Sequence, residues 1–419
     1  MNFKIMNKKL LYKLCILLFA YSIFMFFNNF IFGNYVFAND FTSALDINAS
    51  SALLVDNKTN KILYSKNENK KMFPASTTKI ITAILVLENH SLDEKVTASY
   101  DAVMSIPSGY STADIQIEEE LTVEQLLELL LVHSANDAAN VLAEYAGGSV
   151  SSFVSMMNTK ANELGLSNTH FTNPYGLQDD NHYTTAHDLA IIMQYCLKND
   201  DFRKIAGQAS CAIPATNKSN PRKYDSTNEL LIAGNSNYYS NLIAGKTGYT
   251  SKAGGCLVSA AYNNNLELIG VILNSNNRFK DTRSLYNYGY KNFSIKNIVN
   301  EKDIITNIEV KNATKNTKSL NLLVSEDIPV LANNSDDLTA IQPEISLNDN
   351  IEAPIEEGQA IGKVSYTVNG ITYTTNLIAA NNVEKSKLFT YILYGFGFLI
   401  LILIIYRFFK NSKKTIRKR

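Results

Sequence analysis

The sequence predicts an α/β fold of the α+β kind: a large domain with one sheet packed by helices, a small all-β domain, and a final apolar helix. Three observations carry that reading. Strand patterns appear around Leu54 and again between Ile243 and Leu273, with helical periodicity filling the chain between them. Strands so far apart bury a face only by meeting in one sheet under the helices. From Ile304 the pattern changes to short alternating segments, and Leu388 to Tyr406 carries no charge.

Taken in order, Lys4, Lys8, Lys9 and Lys13 precede an apolar run from Leu14 to Phe27, and Val36-Phe37-Ala38 offers a cleavage site. Residues 1–38 therefore read as an export signal. The large domain is expected over residues 39–298. Ala52-Leu53-Leu54-Val55 and Ile62-Leu63-Tyr64 flank the polar turn Asn57-Lys58-Thr59-Asn60, a strand, turn and strand. Helical patterns follow over Thr78 to Leu87, Thr122 to Val132, Asp137 to Tyr145, Val150 to Leu164 and Thr185 to Leu197. Strands return at Ile243 to Thr250, Gly255 to Ala261 and Leu266 to Leu273, with Asn263-Asn264-Asn265 as a turn, and a helix over Phe279 to Phe293 closes the domain.

Residues 299–384 form the expected β domain. Lys363 to Val368 and Ile371 to Thr375 surround Asn369-Gly370, the pair that a type I′ hairpin requires because both central residues take positive φ. The polar stretch Asn333 to Asn350 reads as loop-rich. Leu388 to Tyr406, inside an anchor expected over residues 385–409, has the length to cross a hydrocarbon core of about 30 Å. It is apolar all round, which favours spanning over lying flat. Arg407, Lys410, Lys413, Lys414, Arg417, Lys418 and Arg419 follow, so residues 410–419 should stay in the cytoplasm and the body outside.

Composition excludes several function classes. With 39 basic and 39 acidic residues the formal charge is zero, and the basic clusters lie at the two membrane-proximal ends, so there is no footprint for nucleic acid. Cys15 falls in the export signal, and Cys196, Cys211 and Cys256 allow one disulfide but no framework of them. Five histidines without an H-E-x-x-H or Cys/His cluster give no metal site, and no cofactor motif is present. His133 reads as a satisfied helix histidine.

The chemistry lies in three short motifs. Ser76-Thr77-Thr78-Lys79 is the chain's only Ser-x-x-Lys. Residues three apart on a helix share a face, so the Lys79 amine can reach the Ser76 hydroxyl and take its proton. Pro74 suits a helix entrance, where free N–H groups favour developing negative charge. Ser134-Ala135-Asn136 follows an apolar helical run, and Lys246-Thr247-Gly248 sits on an expected strand.

This trio, in this order, resembles the serine penicillin-recognising enzymes. Ser134-Ala135-Asn136-Asp137-Ala138-Ala139, Asn173-Pro174-Tyr175-Gly176-Leu177 and Ala244-Gly245-Lys246-Thr247-Gly248-Tyr249-Thr250 narrow it to the low-molecular-mass penicillin-binding proteins, the serine D-alanyl-D-alanine carboxypeptidases. The resemblance covers roughly Ser43 to Phe293. Tyr175 stands where many members carry His, and His187 where many carry Arg. It implies a β-lactamase/transpeptidase-like catalytic domain, a β-sandwich between that domain and the membrane, and removal of the terminal D-alanine from peptidoglycan stem peptides. In that scheme Ser76 is acylated, Lys79 is the base and Ser134 the proton shuttle. Asn136, Lys246, Thr247, Gly248 and Tyr249 bind substrate, and β-lactams inhibit by acylating the same serine. Lys79 must then be neutral, and burial together with Lys246 would depress its pKa.

Rivals are few. A class A β-lactamase carries Ser-Asp-Asn and a loop glutamate, whereas Ala135 stands in the middle here and no Glu-x-x-Leu-Asn follows. A Ser-His-Asp esterase needs G-x-S-x-G, and Ser76 is flanked by Ala75 and Thr77. Endopeptidase or transpeptidase action differs only in the leaving or accepting amine. A non-catalytic sensor would retain all motif residues without need.

Overall fold

A computed structural model describes residues 45–416. The export signal expected over residues 1–38, and Arg417, Lys418 and Arg419, lie outside the described residues. The large domain is built on a five-stranded antiparallel sheet. Its strands are β1 (Ser51–Asp56), β2 (Ile62–Lys66), β3 (Leu242–Thr250), β4 (Gly254–Asn263) and β5 (Leu266–Ser275), in the spatial order β2-β1-β5-β4-β3. β1 thus pairs with a strand from the far end of the domain, Leu53 opposite Val271 and Leu54 opposite Gly270.

Alternation fixes the layering. Leu53, Val55, Val258, Ala260, Ile269 and Val271 point into one core, shared with helix α1 (Lys79–Leu87), helix α2 (Asn136–Gly147) and helix α3 (Ala186–Cys196). Ala52, Leu54, Leu257, Leu268 and Ile272 point the other way, onto Leu285 and Tyr286 of helix α4 (Arg278–Asn292). All six residues of β1 are buried because both faces are covered. The gathering of distant strands into one sheet with helices on it agrees with the sequence reading.

Two segments depart from it. The helix expected over Thr122 to Val132 begins as one, with a capping box between Thr122 and Gln125, but only Val123–Glu128 is α-helical. Leu129–His133 widens into a π-helical turn that ends at Ser134 in the left-handed region, φ 69°. A π-turn leaves the apolar pattern almost unchanged, so periodicity does not reveal it. The stretch Asn333 to Asn350 is also more ordered than its polarity suggests, with a 3₁₀ turn at Leu338–Ala340 and a strand at Glu344–Leu347. Short ladders pairing Lys95–Thr97 with Glu120–Thr122, and Ser210–Ile213 with Arg222–Asp225, escape sequence reading because three or four residues set no period.

The β domain comprises β6 (Phe293–Val299), β7 (Ile304–Glu309), β8 (Ser319–Val324), β9 (Ile328–Asn333), β10 (Glu344–Leu347), β11 (Ala360–Val368) and β12 (Ile371–Ala379). Five of these form a sheet in the order β7-β8-β12-β11-β10, and β6 pairs with β9. Asn369 and Gly370 take φ 53° and 80° in the hairpin, as a type I′ turn demands. Val299, Val330 and Ala332 share a core with Leu320, Leu322, Val364 and Leu377 of the larger sheet, so the two ladders pack as a sandwich. Leu331, between Val330 and Ala332, points into the α4 side of the large domain instead.

The chain then passes through Ser386, whose N–H donates to Asn312 O at 2.7 Å, into a helix over Leu388–Ile416. Among the described residues this is the one helix long and apolar enough to cross a membrane: Thr390–Arg407 has a mean hydropathy of 1.9 and none of it is buried.

Asp281, fully buried on α4, holds the approach to β1. Its carboxylate accepts from the N–H groups of Asn48 (3.2 Å) and Ala49 (3.0 Å) and from Ser275 Oγ (2.7 Å). Asp281→Ala leaves those donors buried and unpaired, so stability should fall by about 3 kcal/mol, read from the chemical-denaturation midpoint.

Candidate active site

Ser76 sits in a 3₁₀ turn, Ala75–Thr78, that runs directly into α1. The turn begins under strain, since Ala75 takes φ 48°, a region costly for a residue with a Cβ. Its carbonyl is held by Thr78 Oγ1 (2.8 Å), and Thr77 Oγ1 donates to Pro74 O (2.8 Å). Gly176, φ 88°, packs against the same peptide: a Cβ there would lie 1.9 Å from Ala75 O. Only glycine fits that approach.

Lys79 is completely buried, and its Nζ lies 2.9 Å from Ser76 Oγ, 2.6 Å from Asn136 Oδ1 and 3.1 Å from Tyr175 O. Burial, and then the nearby Lys246, hold this amine well below the usual lysine range. A neutral amine has two N–H groups and one lone pair. Asn136 Oδ1 and Tyr175 O can only accept, so they take both N–H groups and leave the lone pair for the Ser76 hydroxyl.

Lys246 is equally buried, and its Nζ donates to Thr247 O at 3.1 Å. Burial, followed by the positive charge of Arg278, brings its pKa down to about 7. With Lys79 neutral, the guanidinium is the charge Lys246 feels. Arg278 itself donates to Gly248 O (3.0 Å), while its Nε is buried without a partner. Gly248 brings β3 hard against the serine turn, for a Cβ on it would lie 2.9 Å from Ser76 N. Thr247 Oγ1 is 2.6 Å from Thr227 Oγ1, and the Tyr249 side chain is exposed at the rim. β3 is an edge strand, so one row of its backbone groups has no strand partner and faces the serine turn.

Ser134, 8% exposed, ends the π-turn, and its left-handed backbone allows Asn136 to open α2 toward Lys79. The turn is pinned from outside. Asn136 N donates to Ser111 O (2.9 Å), and the Asp137 carboxylate accepts from Ala113 N (3.0 Å) and Ile115 N (3.1 Å). His133 donates to Thr112 O (3.1 Å) and packs at a tilt against the Tyr224 ring, a satisfied histidine. His187 lies at the start of α3, paired with Asp188 at 3.4 Å. Cys196, Cys211 and Cys256 are buried free thiols, so none of the three is in a disulfide.

Sequence reasoning did not single out Arg278, which only the fold carries to β3, nor the carbonyl of Tyr175, which no side-chain motif encodes. Of the residues it did single out, Lys79 Nζ meets Ser76 Oγ and Asn136 Oδ1, Lys246 lies near Lys79, and Gly248 packs against Ser76 N.

Known proteins were compared with this chain. Residues 38–277 match the family model described as D-alanyl-D-alanine carboxypeptidase, and residues 293–385 match that of the C-terminal domain of penicillin-binding protein 5. The D-alanyl-D-alanine carboxypeptidase DacF of Bacillus subtilis is 31% identical over 84% of this chain and 90% of its own. Among solved structures, PBP3 of Streptococcus pneumoniae, described as a peptidoglycan synthesis regulatory factor, is 27% identical with a TM-score of 0.66, covering 81% of this chain and all of its own. Penicillin binding protein 5 of Haemophilus influenzae is 29% identical with a TM-score of 0.60, over 81% and 98%.

The depressed lysines make stability depend on pH. Below about 7 Lys246 is charged in both folded and unfolded chains, and the full cost of burying it is present. Between there and 10.5 the unfolded chain binds the extra proton, so this group's contribution to stability rises with pH, by up to about 1.4 kcal/mol per unit. Lys246→Met should be more stable than wild type at pH 7, and the gap should narrow by pH 9 in urea titrations. A gap independent of pH would mean that Lys246 keeps its charge when folded.

Proposed function

This chain belongs to the D-alanyl-D-alanine carboxypeptidase family, and from that premise we propose a role for each residue of its site. It is a serine hydrolase that removes the terminal D-alanine from peptidoglycan stem pentapeptides through an ester on Ser76. β-Lactams inhibit it by forming an ester that hydrolyses slowly. The observation that carries the reading is the buried Lys79 Nζ, 2.9 Å from Ser76 Oγ, in surroundings that favour its neutral form.

In the first half-reaction Ser76 Oγ attacks the carbonyl carbon between the two D-alanines while its proton passes to Lys79 Nζ. The tetrahedral oxyanion is held by the N–H groups of Ser76 and Tyr249, where one donor is worth roughly 3 kcal/mol of barrier. Gly248 supports this, because a Cβ on it would lie 2.9 Å from Ser76 N, so the strand that carries Tyr249 runs close beside the serine turn. Ser134 relays the proton from Lys79 to the leaving nitrogen, the C–N bond breaks and D-alanine departs. Water then attacks the ester, giving its proton to Lys79, and Ser76 Oγ recovers a proton as it leaves. Asn136 orients the substrate amide.

The terminal carboxylate lies against Lys246 and Thr247. A carboxylate partner favours the charged form of Lys246, so binding draws a proton onto an amine that is otherwise half-neutral near pH 7. The catalytic domain and β domain work outside the cell, held at the membrane by the helix that begins at Leu388, with the basic tail inside. The exposed, predominantly apolar Thr390–Arg407 segment supports this placement.

Mass spectrometry of penicillin-treated protein should put one adduct on Ser76, and Ser76→Ala should abolish it together with release of D-alanine from a pentapeptide stem. Dimeric peptide in place of free D-alanine would assign a transpeptidase instead. A chain ending near Lys385 should be soluble and still acylated, whereas the full chain should withstand alkaline carbonate and yield only to detergent.

A further inference from the structure

Behind the serine turn lies His182, buried and bonded to Thr78 of that turn. Its Nδ1 faces the Thr172 N–H at 3.0 Å, and its Nε2 faces Thr78 Oγ1 at 2.9 Å. The backbone N–H can only donate, so Nδ1 is the unprotonated nitrogen and the ring proton of neutral histidine sits on Nε2. Burial keeps the ring neutral, with its pKa lowered to about 4. The Thr78 hydroxyl has one proton, which goes to Ala75 O at 2.8 Å, so it accepts from His182. The order of donors is therefore fixed: Thr172 N–H to His182, His182 to Thr78, Thr78 to the Ala75 carbonyl.

That carbonyl belongs to the strained peptide, φ 48° at Ala75, on which the position of Ser76 rests. The other side of the ring holds the start of the turn that carries Asn173, whose Oδ1 accepts from Gly176 N and Leu177 N at 2.8 Å. This turn supplies Tyr175 O to Lys79. His182 thus joins the two backbone segments that place nucleophile and base.

We propose that His182 is a positioning residue for acylation, acting through the Thr78 hydroxyl to hold the Ala75 peptide and so the distance from Ser76 to Lys79. The proposal rests on the reading of Ser76 as the acylated serine. Its test compares Thr78→Val, Thr78→Ser, His182→Leu and His182→Gln, each measured per mole of folded protein. Thr78→Val should lower the rate of acylation by a fluorescent penicillin, and kcat on a diacylated D-Ala-D-Ala tripeptide, by about tenfold or more, with KM little changed. Thr78→Ser should restore the rate, and His182→Gln, whose amide can donate to Thr78, should exceed His182→Leu. The double variant Thr78→Val/His182→Leu should be no slower than the worse single one, because both break one chain. If Thr78→Val does not fold, the two His182 variants carry the same comparison. Variants that lose melting temperature but acylate at the wild-type rate, or losses that add in the double variant, would overturn the proposal. A wild-type protein that takes up no penicillin would overturn the functional reading, and the proposal with it.

Discussion

A lysine amine enclosed by protein, with a second lysine close by and no carboxylate in contact, is pushed toward its neutral form, and the site is organised around that constraint. Burial and Lys246 hold Lys79 well below the usual lysine range, and its N–H groups are satisfied on Asn136 Oδ1 and Tyr175 O. Lys246 is lowered by burial and then by Arg278 to about 7, so it stays close to half protonated near neutrality. In the proposed mechanism one amine is thereby suited to be a base and the other a carboxylate receptor, although both are lysines buried to the same degree. Environment alone separates them.

The same site depends on chain connectivity. β1 lies inside the sheet, between β2 and β5, and its two buried faces join the helical layer to α4. The serine turn follows this N-terminal pair of strands, whereas β3 comes late in the chain and stands at the edge. Ser76 and Gly248 meet only after the distant strands have closed into one sheet. Close approach at two glycines, Gly176 against Ala75 and Gly248 against Ser76, then leaves the turn no room to relax. The strain at Ala75 persists because packing on both sides over-determines it.

Much of this was legible in the sequence, and the boundary is instructive. The strands near Leu54 and Leu266, the Asn369-Gly370 hairpin and the uncharged run from Leu388 are repeating or chemically distinctive patterns, which periodicity and turn chemistry can reach. Ser76, Lys79 and Asn136 could be brought together because each role demands a particular side chain. The π-turn at Leu129–His133, the backbone carbonyl of Tyr175 and the place of Arg278 leave no such trace. Each is a product of tertiary contact. A carbonyl looks alike in every residue, and an arginine at the start of a helix gives no hint of the strand it will meet. His182 escaped for the same reason: its partners are a backbone N–H and a hydroxyl, neither part of a spacing.

The alternation along β9 has a mechanical corollary. Val330 and Ala332 are set in the core of the sandwich and Leu331 in that of the large domain, so one short strand is gripped by both bodies. Tyr373 Oη adds a bond to Leu331 N at 3.3 Å. At the other end of the sandwich, Ser386 is tied to Asn312 and the long helix starts at Leu388, leaving little chain as slack. The joint that ought to flex in a two-lobed protein is thus a rivet. In the membrane-anchored reading proposed above, the sandwich is the spacer between the helix that starts at Leu388 and the serine turn.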